Sequence, residues 1–206
     1  MKLFLSTLAG AVFLSLASAA DAQSLSGIRI GDDIAVASQI GFPPVAKNRS
    51  GPFAILKWKF DDGNELSVTA LSGGGTIVYL ETDWGGQQSG SYSDFPGFYY
   101  GRTALFDIRK KLGSNGFAFG DRTAMRAPDG SIVMFNSYEP IGVENVIVTF
   151  ITKISQKDLK AAPNSPETIP KLAKLQSIIL GYPEYLRNIW GSRLVYDPAY
   201  QKINWR

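Results

Sequence analysis

From residue 31 onward, apolar and polar positions form short periodic runs that read helix, strand, strand, strand, and then the same order again. Gly31-Asp32-Asp33 opens the first run, with a carboxylate placed to cap orphan helix N–H groups. Ile34, Ala37 and Ile40 then share one side of a short helix that Gly41-Phe42-Pro43-Pro44 ends. Leu56, Trp58 and Phe60 alternate with Lys57 and Lys59, the period of a half-buried strand. Asp61-Asp62-Gly63-Asn64 predicts a hairpin turn, Leu66, Val68 and Ala70 a returning strand, and residues 76–83 a third.

The second run opens at Gly101-Arg102-Thr103. Leu105, Ile108 and Leu112 lie on one helical face, Arg109, Lys110 and Lys111 complement the dipole in the last turn, and Gly113 suits a left-handed cap. Strands are predicted over 117–126, 131–139 and 145–154, with Pro128-Asp129-Gly130 as the turn between the first two. The last of them is apolar on both faces, which places it centrally in a sheet.

Gly31 corresponds with Gly101, Gly41 with Gly113, and Asp62-Gly63 with Asp129-Gly130, at offsets of 70, 72 and 67 residues. Both duplication with altered loops and chance recurrence of turn residues produce such scatter; duplication is the expectation adopted. A Gly-led helix ending in an aliphatic residue and Gly (Ile40-Gly41, Leu112-Gly113), followed by a meander with an Asp-Gly turn, resembles the unit of the small outer-membrane-assembly lipoproteins. Its tandem use resembles the β-lactamase inhibitor protein fold. The resemblance covers about residues 28–154 and implies helices packed on one face of an antiparallel sheet in a protein that binds other proteins. The lipidated cysteine of the first family is missing. The expected fold class is therefore α+β: two α-β-β-β units over 23–84 and 101–154, joined by a Gly/aromatic linker at 85–100.

That linker region carries Trp84, Tyr92, Phe95, Phe98, Tyr99 and Tyr100 among Gly and Ser. These aromatics either present a recognition surface for a protein or a sugar ring, or fold back to close the core. Avoiding an exposed apolar patch favours the second alternative; the six remain the candidate binding residues. Beyond Ile154, Pro163, Pro166 and Pro170 interrupt regular structure, and residues 155–206 read as a Pro-containing linker and a helical C-terminal segment. One helix is predicted over 170–180 from Leu172, Leu175 and Ile179, and another around Tyr185, Leu186, Ile189 and Trp190; Tyr196, Tyr200 and Trp205 continue the aromatic supply.

The N-terminus changes the setting. Met1-Lys2, an apolar run from Leu3 to Leu16, and the small-residue sites Ala17-Ser18-Ala19 and Ala20-Asp21-Ala22 make residues 1–22 a secretory signal peptide, with cleavage after Ala22 preferred. The run falls short of the about 20 apolar residues of a membrane span. The expectation is an exported, periplasmic or secreted product that does not span the membrane. Cysteine is absent throughout, so folding relies on the core alone. Net charge is +3, from 21 basic and 18 acidic residues; residues 23–150 carry 11 and 13 of these and 151–206 carry 9 and 4. The basic tail could favour an anionic partner, but its charges are spread out, and no nucleic-acid partner is expected.

Absent histidine and cysteine exclude Ser-His-Asp triads, Cys-His dyads and the usual zinc sets, and no phosphate-binding glycine motif occurs. Glu81 and Asp83, two apart on one strand face, are a possible carboxylate pair for a hydrolase. Asp61, Asp62, Asn64 and Glu65 hold oxygen ligands for a hard cation, but their spacing is that of a hairpin turn and not of a Ca²⁺ loop. Asn48-Arg49-Ser50 matches a glycosylation sequon. No catalytic residue, metal ligand or cofactor is assigned. The functional expectation is a non-catalytic exported module that binds another envelope or extracellular protein, with glycan or ligand binding as the alternative and a carboxylate hydrolase behind both.

Overall fold

The structure is a computed structural model that describes residues 24–120, 122–162, 165 and 167–204. The expected signal peptide lies outside the described residues, as do Pro163, Pro166 and Trp205. Strands β1 (Ser24–Leu25) and β2 (Ile28–Arg29) form a small hairpin. The body is a ten-stranded sheet, antiparallel throughout, built from β3 (Ala46–Ser50), β4 (Phe53–Lys59), β5 (Glu65–Leu71), β6 (Ile77–Asp83), β7 (Phe117–Phe119), β8 (Ala124–Arg126), β9 (Ile132–Tyr138), β10 (Ile147–Ile154), β11 (Lys174–Gly181) and β12 (Leu194–Tyr196). Its spatial order is β12-β7-β9-β10-β11-β6-β5-β4-β3, and β8 pairs with the same edge of β9 further along.

This architecture corrects the expected fold class. Tandem α-β-β-β units backed by helices are replaced by one large sheet with few helices. Residues 34–40 form a 3-10 helix, capped by Asp33 at its start and by left-handed Gly41 at its end. The strand expected over 117–126 divides into β7 and β8. The largest departure is at 170–180. There the helix α3 (Ile169–Leu172) is a single turn, and the residues after it form β11, which hydrogen-bonds to β10 on one side and β6 on the other. A strand buried on both faces carries no alternation, and Leu175, Ile178, Ile179 and Leu180 satisfy a helical spacing equally well. With β11 between them, the two meanders become one sheet.

Register defines two faces. On the first, Val68, Leu80, Leu180, Val148 and Tyr138 form a continuous row across β5, β6, β11, β10 and β9. All five are buried in the main core, which also takes in Leu25, Ile28, Ala37 and Ile108. The β1–β2 hairpin, the 3-10 helix and α1 (Leu105–Leu112) therefore cover this face. Gly113 ends α1 at φ 64°, a left-handed value that only glycine adopts at little cost. The second face is covered in part by α4 (Pro183–Trp190), which turns Leu186 and Trp190 inward onto Phe117, Phe119 and Ile179. The remaining helix, α2 (Gln156–Ala161), has Ser155 as its cap and no buried residue.

Candidate functional site

On the face carrying α4, β6 presents Tyr79, Glu81 and Asp83 in one column, as its alternation requires. Glu81 stands in a row with Ser67, Ile179, Thr149 and Ser137, and Asp83 in the next with Glu65, Ser177, Ile151 and Phe135. Glycine at 181, beside Tyr79 in the register, admits α4: the nearest Leu186 side-chain atoms lie 2.9–3.3 Å from where a Cβ would stand. Behind Leu186, Trp190 packs edge-on against Phe119 and Phe135, at ring separations of 5.4 and 5.8 Å.

These elements leave a cleft of about 410 Å³. Tyr79 and Glu81 line it together with Ile151, Ile179, Val133, Phe135 and Trp190, while Arg122, Met125 and Arg126 contribute from β8 and the residues before it. The Tyr79 hydroxyl donates to Glu81 Oε2 at 2.9 Å. Burial and then the neighbouring Asp83 charge push the Glu81 carboxyl up to about 7, against the opposing pull of the Tyr79 hydrogen bond and Lys57. Burial also raises Asp83, whose carboxylate accepts from the Ser177 hydroxyl, and it raises the Tyr79 phenol. A carboxyl that titrates near neutrality beside a phenol offers a ligand both a donor and an acceptor. Asp83 does not line the cleft, so the two carboxyl groups named from sequence share a face of β6 without converging on one space.

The six loop aromatics divide. Phe95 and Phe98 stack at 4.6 Å and both meet Phe150 edge-on at 5.4 Å, buried in the main core. Tyr100 is buried too, its hydroxyl 2.6 Å from Thr82 Oγ1. Trp84 packs against the same core and donates from Nε1 to the Gln88 carbonyl. Tyr92, 80% exposed, leans on partly exposed Tyr99 at 5.3 Å, and Arg102 lies over the Tyr99 ring. Tyr92 thus presents most of its ring outward, while Tyr99 and Trp84 are partly exposed and Phe95, Phe98 and Tyr100 are buried. In the Asp61–Glu65 hairpin, Asp62 accepts from both the backbone and side-chain N–H groups of Asn64, which explains these residues as turn chemistry. Among the described residues, no group of three or more carboxylates stands close enough to hold a metal ion.

Sequence reasoning found Glu81 through its alternation with Asp83 and missed Tyr79, Arg122, Arg126 and Trp190 as its neighbours. The Tyr79-x-Glu81 spacing was a usable signal. The approach of α4 and β8 depends on tertiary packing and has no local signature.

No protein-family model matches the chain, and neither does any curated protein. Among solved structures, an extracellular protein containing a SCP domain from Bacillus anthracis str. Ames aligns with a TM-score of 0.47 and 11% identity, covering 94% of this chain and 55% of that chain. The chain therefore spans about half the length of that neighbour. A likeness of that grade carries no functional argument. Among the described residues, no helix is long and apolar enough to cross a membrane.

Proposed function

We propose that the chain is an exported, non-catalytic binding module that takes a small ligand in the cleft beside α4. The observation that carries this reading is the Tyr79–Glu81 pair in a cleft walled by Ile151, Ile179, Phe135 and Trp190. Its volume, about 410 Å³, lies within the range of small-molecule sites. Apolar and aromatic walls, with the Tyr79–Glu81 pair and the donors Arg122 and Arg126, suit a ligand with an apolar face and hydroxyl groups, the composition of a sugar ring. Export is supported by the N-terminal signal pattern. A non-catalytic role is supported by the absence of His and Cys and by the separation of Asp83 from the cleft.

A thermal-shift series against cell-wall sugars tests the reading, because a ligand that binds only the folded chain raises its melting temperature. The expected result is a saturable rise with at least one sugar that is lost in Glu81→Ala and Trp190→Ala. No rise with any of them, or a rise that survives both substitutions, would overturn it. A second reading, contact with another envelope or extracellular protein, is favoured by the outward Tyr92–Tyr99 pair beside Arg102. Its test is a pull-down from the envelope fraction that loses its partner in Tyr92→Ala.

A further inference from the structure

On the opposite face of the sheet, a second cleft of about 440 Å³ lies between α1, α3 and the chain near Ala199. Three cations, Arg109, Lys110 and Lys171, line it against one carboxylate, Glu167. Ser114 and Asn115, just past the end of α1, complete its floor. Cations at a helix C-terminus are expected from the dipole alone, and Lys110 needs no other explanation.

Arg109 does. Its guanidinium is partly buried, and Nη2 makes a long hydrogen bond of 3.4 Å to Asn136 Oδ1. Its Nε is buried without a well-formed hydrogen bond, and the Tyr138 hydroxyl, buried and otherwise unpartnered, lies within reach of the guanidinium. Among the described residues, no carboxylate stands within 4 Å of it. A further acid nearby, Asp197, is occupied by the Asn115 side chain at 3.1 Å and by the Ala199 N–H at 2.8 Å. A half-buried guanidinium that meets only the neutral oxygens of Asn136 and Tyr138 is costly, and two further cations beside it raise that cost. A planar fork of N–H donors without a counter-charge is the complement of an oxyanion.

We propose that this cleft is a binding site for a small oxyanion, a phosphate or carboxylate group, held by Arg109 with Lys171 beside it. The site lies across the sheet from Glu81 and stands independently of the ligand reading above.

The test is titration of the ¹⁵N-labelled mature chain with inorganic phosphate at constant ionic strength, read by NMR, with vesicles of anionic lipid as a second arm. Saturable shifts are expected at the Arg109 side-chain N–H, Ser114 and Asn115. Arg109→Gln should weaken phosphate binding by about tenfold or more, since charge-assisted hydrogen bonds carry that much. Lys171→Gln, an exposed change that leaves folding intact, should weaken it too, and Glu81→Gln should leave it unchanged. Linear shifts spread over surface lysines, an unchanged affinity in both cleft variants, or binding to vesicles without any response to phosphate would each overturn the site.

Discussion

The Tyr79 hydroxyl donates to Glu81 across one alternation of β6, so that a phenol and a carboxyl share a proton-bearing contact beside Trp190. Burial is what makes this contact sensitive to pH. The folded chain keeps a proton on Glu81 up to about pH 7, whereas the unfolded chain releases it near the ordinary value of 4.5. Between those values the folded state binds more protons, so this group's contribution to stability is fully present below 4.5, declines as pH rises, and is gone above about 7. Glu81→Gln removes the dependence and should be more stable than the parent above pH 7, by on the order of 1–3 kcal/mol. Denaturation at a series of pH values checks it; a gap between the two proteins that does not change with pH contradicts it.

The Tyr79 hydroxyl holds the Glu81 value down, against burial. Tyr79→Phe should therefore move the Glu81 midpoint above 7, measured by carboxyl ¹³C titration. A midpoint that falls would mean that the phenol stabilises the protonated form instead.

The loop aromatics predict two opposite outcomes. Phe98 stacks on Phe95 and meets Phe150 inside the main core, so Phe98→Ala leaves a cavity and should cost about 3–5 kcal/mol. Tyr92 projects into solvent, and Tyr92→Ala should change stability by no more than about 0.5 kcal/mol. Urea unfolding of the two variants separates these roles. Equal and small losses would mean that the loop does not close the core.

Gly181 lets α4 approach β11 closely. Three Leu186 side-chain atoms lie within 3.3 Å of the position a Cβ would take, so Gly181→Ala must displace α4 or strain the sheet. Overpacking of this kind costs typically about 1–3 kcal/mol. Because Trp190 sits on the same helix, its fluorescence should shift along with the melting temperature. Unchanged emission and stability would show that α4 does not rest on β11.

Much of the sheet was legible from residues alone. Leu56/Trp58 and Leu66/Val68/Ala70 alternate cleanly because β4 and β5 have faces of different polarity, and α1 carried its apolar stripe, terminal cations and Gly113 together. What was illegible is where local pattern is silent. In β11, Leu175, Ile178, Ile179 and Leu180 are apolar on both faces, and the same spacing suits a helix. The pairing of Glu81 with Asp83 was visible, but their separation was not, since it depends on Trp190 and β8 arriving beside one carboxyl and on Ser177 engaging the other. Arg109 read as dipole complement because nothing local reveals a half-buried guanidinium without a counter-charge.

The misread strand also yields the most severe test of the architecture. Strand β11 supplies the ladder partner for Tyr79–Asp83 of β6 and, on its other edge, for Ile147–Lys153 of β10. Without it, two long and largely apolar edges would be bare, and unpaired strand edges of that kind associate with one another. Leu175, Ile178 and Leu180 would leave the main core at the same time. A chain ended after Ala173 should therefore lose its cooperative melting transition and aggregate, as read by calorimetry and light scattering. Two small domains that folded independently through their own meanders would instead give a soluble, cooperatively melting fragment, and that result would contradict the single continuous sheet.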